Sequence, residues 1–125
     1  MDNAWAVGRT VLIVDDEESI RKMLGRCLTR WGFQVAFAED GREAWQMLQD
    51  GAYDLVITDN SMPVMRGEEL ARQVKVKYPG MPVIMLTALN AFPGPEGGKP
   101  PGVDFLLLKP ASLEDVRRVL RRALS

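Results

Sequence analysis

Four short runs of apolar residues constrain the fold of this chain more than any other feature. They are TVLIV at 10–14, LVIT at 55–58, VIML at 83–86 and DFLLL at 104–108. Such runs are typical of strands that are buried on both faces. A weakly alternating segment at 33–38 predicts one further strand, and segments with helical spacing separate the strands. Strands that alternate with helices predict an α/β fold with a parallel sheet covered on both faces.

Apolar spacing and polar end residues mark the helices. The first has an apolar face at Ile20, Met23, Leu24, Cys27, Leu28 and Trp31, and the last has one at Leu113, Val116, Val119, Leu120 and Leu124. Gly32 is expected to end the first helix in the left-handed conformation. Asp40 with Glu43, and Ser112 with Asp115, have the spacing of capping pairs at the starts of two later helices.

Length and composition fit a single domain over residues 1–125, with residues 1–9 as an N-terminal tail. The formal net charge of −1 gives no overall attraction to nucleic acid or membranes. Cys27 is the only cysteine, and we interpret it as a core residue in a reducing compartment. The apolar runs are too short to span a membrane, so we expect a cytoplasmic protein. The chain has no histidine, which excludes acid–base chemistry based on that residue.

Polar residues follow four of the five predicted strands. They are Asp15 and Asp16 after the first strand, Asp59 after the third, Thr87 after the fourth and Lys109 after the fifth. In an open parallel sheet the carboxyl ends of the strands meet at one edge, where ligands bind. Taken singly, each residue has an ordinary structural interpretation, and Asp16 or Glu17 could simply cap a helix. Their joint occurrence at the same edge instead predicts a functional site.

Three carboxylates at one sheet edge would repel one another strongly. At a separation of ~5 Å and an effective dielectric constant of ~20, each pair costs roughly 3 kcal/mol. A bound cation or a protonated carboxyl group would relieve this repulsion. Oxygen ligands without histidine or a second cysteine favour Mg²⁺ over Zn²⁺.

An ordered set of motifs resembles the receiver domain of bacterial two-component response regulators. The motifs are VLIVDDEE, DLVITDNSMP with Gly67 beyond it, VIMLTA and LLLKP, and the resemblance runs from about Thr10 to Leu124. It implies a flavodoxin-like, doubly wound five-stranded parallel sheet with strand order 2-1-3-4-5. It also implies a phosphorelay protein that carries an aspartyl phosphate and passes its signal on by protein–protein contact.

The resemblance implies roles for the residues at the strand ends. Asp59 would be phosphorylated by a partner histidine kinase, a hybrid kinase or a phosphotransfer protein. Asp16 would bind Mg²⁺ directly and Asp15 mainly through water, with Asp59 and the backbone carbonyl of Ser61 as further ligands.

The same resemblance assigns the remaining polar residues to the phosphoryl group. Thr87 would donate a hydrogen bond to it, and Lys109 would pair with its charge. The Lys109–Pro110 peptide bond is expected to be cis. A carboxylate nucleophile needs such positive charge and hydrogen-bond donors around the transferring oxygens.

The segment 89–102 departs from the family pattern. Because Lys109 lies beyond it, this segment is expected to be an internal connection and not an interdomain linker. Its prolines and glycines predict that the fourth helix of the family is absent or much reduced. Dimerisation through the surface that the family builds from this helix, the fifth strand and the last helix is therefore not expected. The segment is either a phosphorylation-dependent order–disorder switch or a passive connector.

A second departure concerns the residue three positions before Lys109. Receivers usually carry Tyr or Phe there, whereas this chain has Leu106. Phe105 is adjacent, but side chains alternate along a strand and would place it on the other face.

Two alternatives to a phosphorylatable receiver remain open at this point. One is a protein-binding module of the same fold that does not use phosphorylation. The other is an aspartate-based phosphohydrolase, which would need an acid where this chain has Ser61, so no enzymatic turnover is expected. The arginines of the last helix (Arg117, Arg118, Arg121 and Arg122) are interpreted as a solvated face, with no nucleic-acid or membrane partner.

Overall fold

The structure is a computed structural model that describes residues 3–88 and 99–125. The strands are β1 (Thr10–Val14), β2 (Gln34–Ala38), β3 (Leu55–Asp59), β4 (Val83–Thr87) and β5 (Phe105–Leu108). The helices are α1 (Glu18–Trp31), α2 (Gly41–Asp50), α3 (Gly67–Lys77) and α4 (Leu113–Ala123). All strand pairs are parallel and the order is β2-β1-β3-β4-β5. The predicted sheet and its strand order are confirmed.

The prediction of an absent or much reduced fourth helix is not borne out. The fourth helix of the described chain, α4, follows β5 and has the polar cap and the apolar face that a stable helix requires. The prolines and glycines that motivated the prediction fall mostly on residues 89–98, which lie outside the described residues.

The sheet separates two apolar layers because neighbouring residues of each strand face opposite sides. On one side α1 and α4 pack on Ile13 and Ile57, and on the other side α2 and α3 pack on Leu12 and Val56. These four strand residues are at most 1% exposed. The central strands β1, β3 and β4 therefore read as continuous apolar runs.

Phe105 and Leu106 also lie on opposite faces of the sheet, as predicted. Phe105 packs with the layer that contains Ile13, and Leu106 packs with the layer that contains Leu12. Because α4 lies on the first side, the guanidinium of Arg122 stands 5.7 Å from the centre of the Phe105 ring. The aromatic ring of β5 is thus held by the last helix.

The predicted helix ends are confirmed. Gly32 ends α1 with a φ of 108°, a left-handed conformation that glycine adopts without cost. The Asp40 side chain accepts a 2.8 Å hydrogen bond from the Glu43 amide at the start of α2. The Glu43 carboxylate in turn accepts from the amide of Glu39 and not from that of Asp40, so this capping box includes one additional residue.

Apolar spacing overestimated the buried face of two helices. Met23 on α1 is 44% exposed and Leu113 at the start of α4 is 43% exposed, although both were predicted to face inward. Cys27, predicted to be a core residue, is half-buried. These positions lie at the margins of the apolar stripes, where spacing alone does not decide burial.

The N-terminal segment packs on the amino end of the sheet. The Trp5 ring meets the Phe33 ring edge-on, with 5.5 Å between the centroids, and Ala6 is fully buried. Arg117 of α4 lies over the Trp5 ring and also donates a hydrogen bond to the Asn3 side chain. Arg117 is therefore a packing residue and not simply part of a solvated basic face.

Residues 99–104 lead back to the sheet across α3. Gly102 has a φ of 88°, and a Cβ at this position would lie 2.7 Å from the Ala71 carbonyl oxygen. Asp104 then binds the Val83 amide at 2.8 Å and the Lys75 ammonium at 2.6 Å. These contacts fix the entry of β5 beside β4. Among the described residues, no helix combines the length and the apolar character needed to cross a membrane.

Candidate functional site

The strand order places the acidic residues side by side. β1 and β3 are neighbours at the centre of the sheet, and Val14 pairs with Thr58 in the ladder. Asp15 and Asp59 follow these two residues, so both carboxylates emerge at the same level of the carboxyl edge. This edge is the predicted location of the site.

Asp15, Asp16 and Asp59 form an acidic cluster. One carboxylate oxygen from each lies within 4.8 Å of the others. Asp15 is 2% exposed and Asp59 is 7% exposed, whereas Asp16 faces solvent. Two nearly buried carboxylates at such a separation are unfavourable without a compensating positive charge.

Lys109 supplies one compensating charge. Its Nζ lies 3.0 Å from Asp59 Oδ1 and 3.8 Å from Asp15 Oδ2. The Lys109 amide donates a 2.8 Å hydrogen bond to the Thr87 carbonyl, and the following peptide bond to Pro110 is cis, as predicted. Lys109 is thus oriented from the end of β5 toward the acidic cluster.

The electrostatics of the site show that its negative charge exceeds what one lysine can neutralise. Burial raises the pKa of Asp15 to about 6; the Glu17 amide opposes this shift, and the Asp59 charge adds to it. Partial burial tends to lower the pKa of Lys109, but its hydrogen bond to Asp59 and the nearby carboxylate charges raise it overall. With three carboxylates and one ammonium, the fully ionised cluster carries a charge of −2.

These donors fit a hard divalent cation. Three carboxylates supply oxygen ligands at a net charge that a divalent cation would neutralise. Ser61 lies in the exposed loop that follows Asp59 and is thus near the same edge in sequence and in the fold. The carboxylates that could hold such a cation are therefore Asp15, Asp16 and Asp59, and the role of the Ser61 carbonyl stays a prediction.

Thr87 stands at the same edge. It is the last residue of β4 and is 2% exposed. Asp59 pairs with Leu86 in the ladder, so Thr87 lies one residue further toward the carboxyl edge. The five residues predicted from the strand ends thus lie at the carboxyl ends of four adjacent strands, β1, β3, β4 and β5.

Sequence reasoning missed Asn60, which joins the site loop to α3. Its side-chain oxygen accepts a 3.1 Å hydrogen bond from the Glu68 amide, and its carbonyl accepts from the Gly67 amide at 3.2 Å. Arg66, which directly precedes α3, provides no side-chain cap for this helix. Asn60 is fully buried, and its Nδ2 has no hydrogen-bond partner among the described residues. A cap provided from seven residues before the helix leaves no local sequence pattern.

Gly67 allows this close approach of α3 to the site. A Cβ at Gly67 would overlap the Asp59 carbonyl oxygen and contact Asn60 Cα at 3.0 Å. Any larger residue would therefore push α3 away from the backbone of Asp59. The glycine that completes the DLVITDNSMP motif has a steric reason to be there.

Sequence reasoning also missed Arg21 of α1. Its Nη1 donates a 2.6 Å hydrogen bond to the Asp15 carbonyl, and its Nη2 lies 3.6 Å from Glu39 Oε1. The arginine lies next to a predicted apolar position and bonds to a backbone atom, which sequence patterns do not reveal.

Comparison with known proteins identifies the family. The profile described as "Response regulator receiver domain" matches residues 11–121. The chain belongs to this family. It is therefore a receiver domain of two-component signalling systems, with the acidic pocket of Asp15, Asp16 and Asp59 at the expected edge of its sheet.

Curated relatives and solved structures agree with this assignment. The response regulator MprA of Mycolicibacterium vanbaalenii is 35% identical over 116 residues, which cover 90% of this receiver and 50% of MprA. The chemotaxis response regulator CheY4 of Vibrio cholerae has a TM-score of 0.83 at 37% identity, with 93% of this chain and 98% of that chain covered. The receiver spans about a quarter to one half of the length of the first curated relatives.

One solved relative was crystallised as a complex that contains magnesium. The response regulator TrrA of Thermotoga maritima was solved in complex with Mg(2+)-BeF. It has a TM-score of 0.83 and 30% identity to this receiver, with 93% of this chain and 99% of that chain covered. A related fold with a similar sequence therefore holds magnesium.

Proposed function

We propose that this receiver accepts a phosphoryl group on Asp59 from a sensor histidine kinase, a hybrid kinase or a phosphotransfer protein, in a reaction that requires Mg²⁺. The single observation that carries the proposal is the arrangement of three carboxylates within 4.8 Å together with the Lys109 ammonium 3.0 Å from Asp59. A structural ion pair would need only one of these carboxylates. The excess negative charge favours a site that binds a cation together with an anionic group.

Each residue of the site has a separate role in the proposed phosphoryl transfer. A carboxylate oxygen of Asp59 attacks the phosphorus atom while the bond from phosphorus to the donor nitrogen breaks. Lys109, already beside Asp59, pairs with the charge that this transfer brings to the site. The Thr87 hydroxyl group donates a hydrogen bond to a phosphoryl oxygen. Mg²⁺, when bound by Asp15, Asp16, Asp59 and the Ser61 carbonyl, supplies further positive charge for the same oxygens.

The signal is proposed to leave the receiver by protein–protein contact. Several curated relatives are named transcriptional regulatory proteins, and those names describe longer proteins. The expectation that this chain itself contacts no nucleic acid stays a prediction. The expectation that it does not dimerise in the usual way depended on the family's fourth helix being absent, and it stays a prediction as well.

We expect no turnover on external phosphate esters. Ser61, two residues after Asp59, has no carboxyl group with which to activate a water molecule or a leaving group. The described structure places no other carboxylate in the cluster besides Asp15 and Asp16. Asp59 is therefore proposed as an acceptor and not as the nucleophile of a hydrolase.

Intact-protein mass spectrometry after incubation with acetyl phosphate tests the proposal. The wild type should gain one phosphoryl group with Mg²⁺ and none with EDTA, and Asp59→Asn should gain none. Asp50→Asn is the matched control, because Asp50 lies on the surface at the end of α2, and it should behave as the wild type does. A phosphoryl group on Asp59→Asn, or none on the wild type at saturating Mg²⁺, would contradict the proposal. The second result, with no binding of Mg²⁺, would favour the phosphorylation-independent module.

A further inference from the structure

Arg21 connects two loops at the carboxyl edge of the sheet. Its guanidinium donates to the backbone carbonyl of Asp15 at 2.6 Å and lies 3.6 Å from the Glu39 carboxylate. Asp15 begins the loop after β1, and Glu39 follows the last residue of β2. The Arg21 side chain is only 13% exposed, whereas the Glu39 side chain is 71% exposed, so the hydrogen bond to the Asp15 carbonyl is the more shielded of the two contacts.

The loop that carries Asp15 and Asp16 is destabilised by repulsion between like charges. Repulsion from Asp59 drives these two carboxylates away from the cluster and toward solvent. The loop is anchored by the Asp15 amide, which donates to the Ala38 carbonyl at 3.1 Å, and by the Glu17 amide, which donates to Asp15 Oδ1 at 2.9 Å. Arg21 adds a charge-assisted hydrogen bond to the one remaining backbone polar group of Asp15.

The backbone at the Glu39 end of the connection is held by the start of α2. The Glu39 amide donates a 3.0 Å hydrogen bond to Glu43 Oε1, and the Glu43 amide donates to Asp40 at the start of α2. Arg21 therefore ties the loop of Asp15 to the capping box of a second helix. A planar guanidinium can bond in two directions at once, whereas a lysine ammonium at this distance from the backbone would reach one partner well.

We infer that Arg21 is a positioning residue for the acidic cluster, which holds the Asp15 backbone so that Asp15 and Asp16 remain directed toward a divalent cation. Its contact is with the Asp15 carbonyl and not with the carboxylates, so it acts through geometry. The effect on phosphoryl transfer rests on the proposed function. The effects on the loop and on cation affinity do not.

Two measurements on purified Arg21→Met test the inference. Methionine keeps the apolar stem of the side chain and removes its donors. In metal-free protein, hydrogen exchange at the amides of Asp15 and Glu17 should become faster relative to the core of the sheet. In calorimetric titration, the affinity for Mg²⁺ should fall about 10-fold, the lower end of the range for residues that orient metal ligands.

Arg26→Met is the matched control. Arg26 lies on the same helix in an exposed position, and no ion pair joins it to a described residue. It removes the same charge and should leave loop exchange and Mg²⁺ affinity unchanged. Arg21→Lys keeps the charge and should give an intermediate loss of affinity, and it provides the same comparison if Arg21→Met does not fold.

The outcomes separate this inference from the proposed function. Wild-type exchange and wild-type Mg²⁺ affinity in folded Arg21 variants would overturn the inference, even if their melting temperatures were lower. Faster exchange and weaker Mg²⁺ binding would support it, whether or not the wild type is phosphorylated. If Asp59 does accept a phosphoryl group, Arg21→Met should need more Mg²⁺ for half-maximal labelling and approach the wild-type rate at saturation.

Discussion

Asp15 is a residue whose burial makes the folded state sensitive to pH. Its side chain is almost fully buried beside Asp59, and burial raises its pKa to about 6 from 3.8. Between pH 3.8 and about pH 6, Asp15 is therefore protonated in the folded chain and ionised in the unfolded chain. Because the unfolded state binds fewer protons there, stability must decrease as the pH rises.

We predict that metal-free protein loses about 2 kcal/mol of unfolding free energy between pH 4 and pH 6 because of Asp15, and that this loss levels off above pH 6. Asp15→Asn should abolish this part of the pH dependence and stabilise the metal-free protein at pH 7. Urea denaturation at several pH values measures both effects. An equally steep decrease in the variant would show that another group is responsible.

Val64 is a second residue whose backbone conformation lowers the stability of the folded state. It has a φ of 70° and is 70% exposed, so a β-branched side chain occupies a left-handed conformation without a compensating buried contact. Val64→Gly should raise the unfolding free energy by about 1 kcal/mol. The same change at Val76, 85% exposed on α3, should instead lower it by about 0.5 kcal/mol, because glycine is a weaker helix former than valine. Chemical denaturation measures both, and destabilisation by Val64→Gly would contradict the predicted strain.

At the residue scale, site residues at strand ends could be predicted from the sequence, whereas residues that act through contacts with the backbone could not. The shared edge of Asp15, Asp59, Thr87 and Lys109 was predictable because each stands at the end of an apolar strand, and parallel strands end at one edge. Arg21 was not, because its partner is the Asp15 carbonyl, which every residue type possesses. A side chain that bonds to the backbone is specified by the fold and leaves no mark in the pattern of residues.

At the scale of elements, the approach of β5 to α3 depends on Gly102. A side chain there would require a left-handed backbone and would press on the Ala71 carbonyl, which a packed helix cannot easily move. We predict that Gly102→Ala destabilises the fold by about 2 kcal/mol. Gly80→Ala, where a Cβ would meet open space, should change stability by less than about 0.5 kcal/mol. Thermal denaturation compares them, and equal effects would exclude the steric explanation.

The elements themselves were largely predictable. Strands buried on both faces appear as apolar runs, and helix ends appear as capping residues such as Asp40 and Ser112. What spacing could not decide was the width of each apolar stripe, so Met23 and Leu113 were placed inside although they are exposed. Burial at the margin of a stripe depends on how neighbouring helices tilt, which is a property of the packed molecule.

At the scale of the whole molecule, the N-terminal segment closes the amino end of the sheet. Trp5 packs on Phe33 and beneath Arg117, which is separated from it by more than 100 residues in sequence. Such a contact could not be predicted, and residues 1–9 were interpreted as a tail.

We predict that Trp5→Ala costs about 2 kcal/mol of unfolding free energy, because a partly buried indole ring leaves a gap against the core. Val7→Ala is the control, since Val7 is 68% exposed in the same segment, and it should have little effect. Urea denaturation of both variants measures the difference. A Trp5→Ala protein as stable as the wild type would mean that the segment contributes nothing to the domain.

The two ends of the sheet have opposite effects on the stability of the fold. Like charges are concentrated at the carboxyl edge, whereas aromatic packing and a stacked arginine close the amino edge. Strands of five residues separate these edges by about 15 Å, a distance at which substitutions usually act additively. An engineer could therefore strengthen the packing around Trp5 to restore stability lost by altering the acidic cluster, without disturbing its chemistry. In evolution, the same separation would let residues of the site change while better packing at the amino edge compensates for the lost stability.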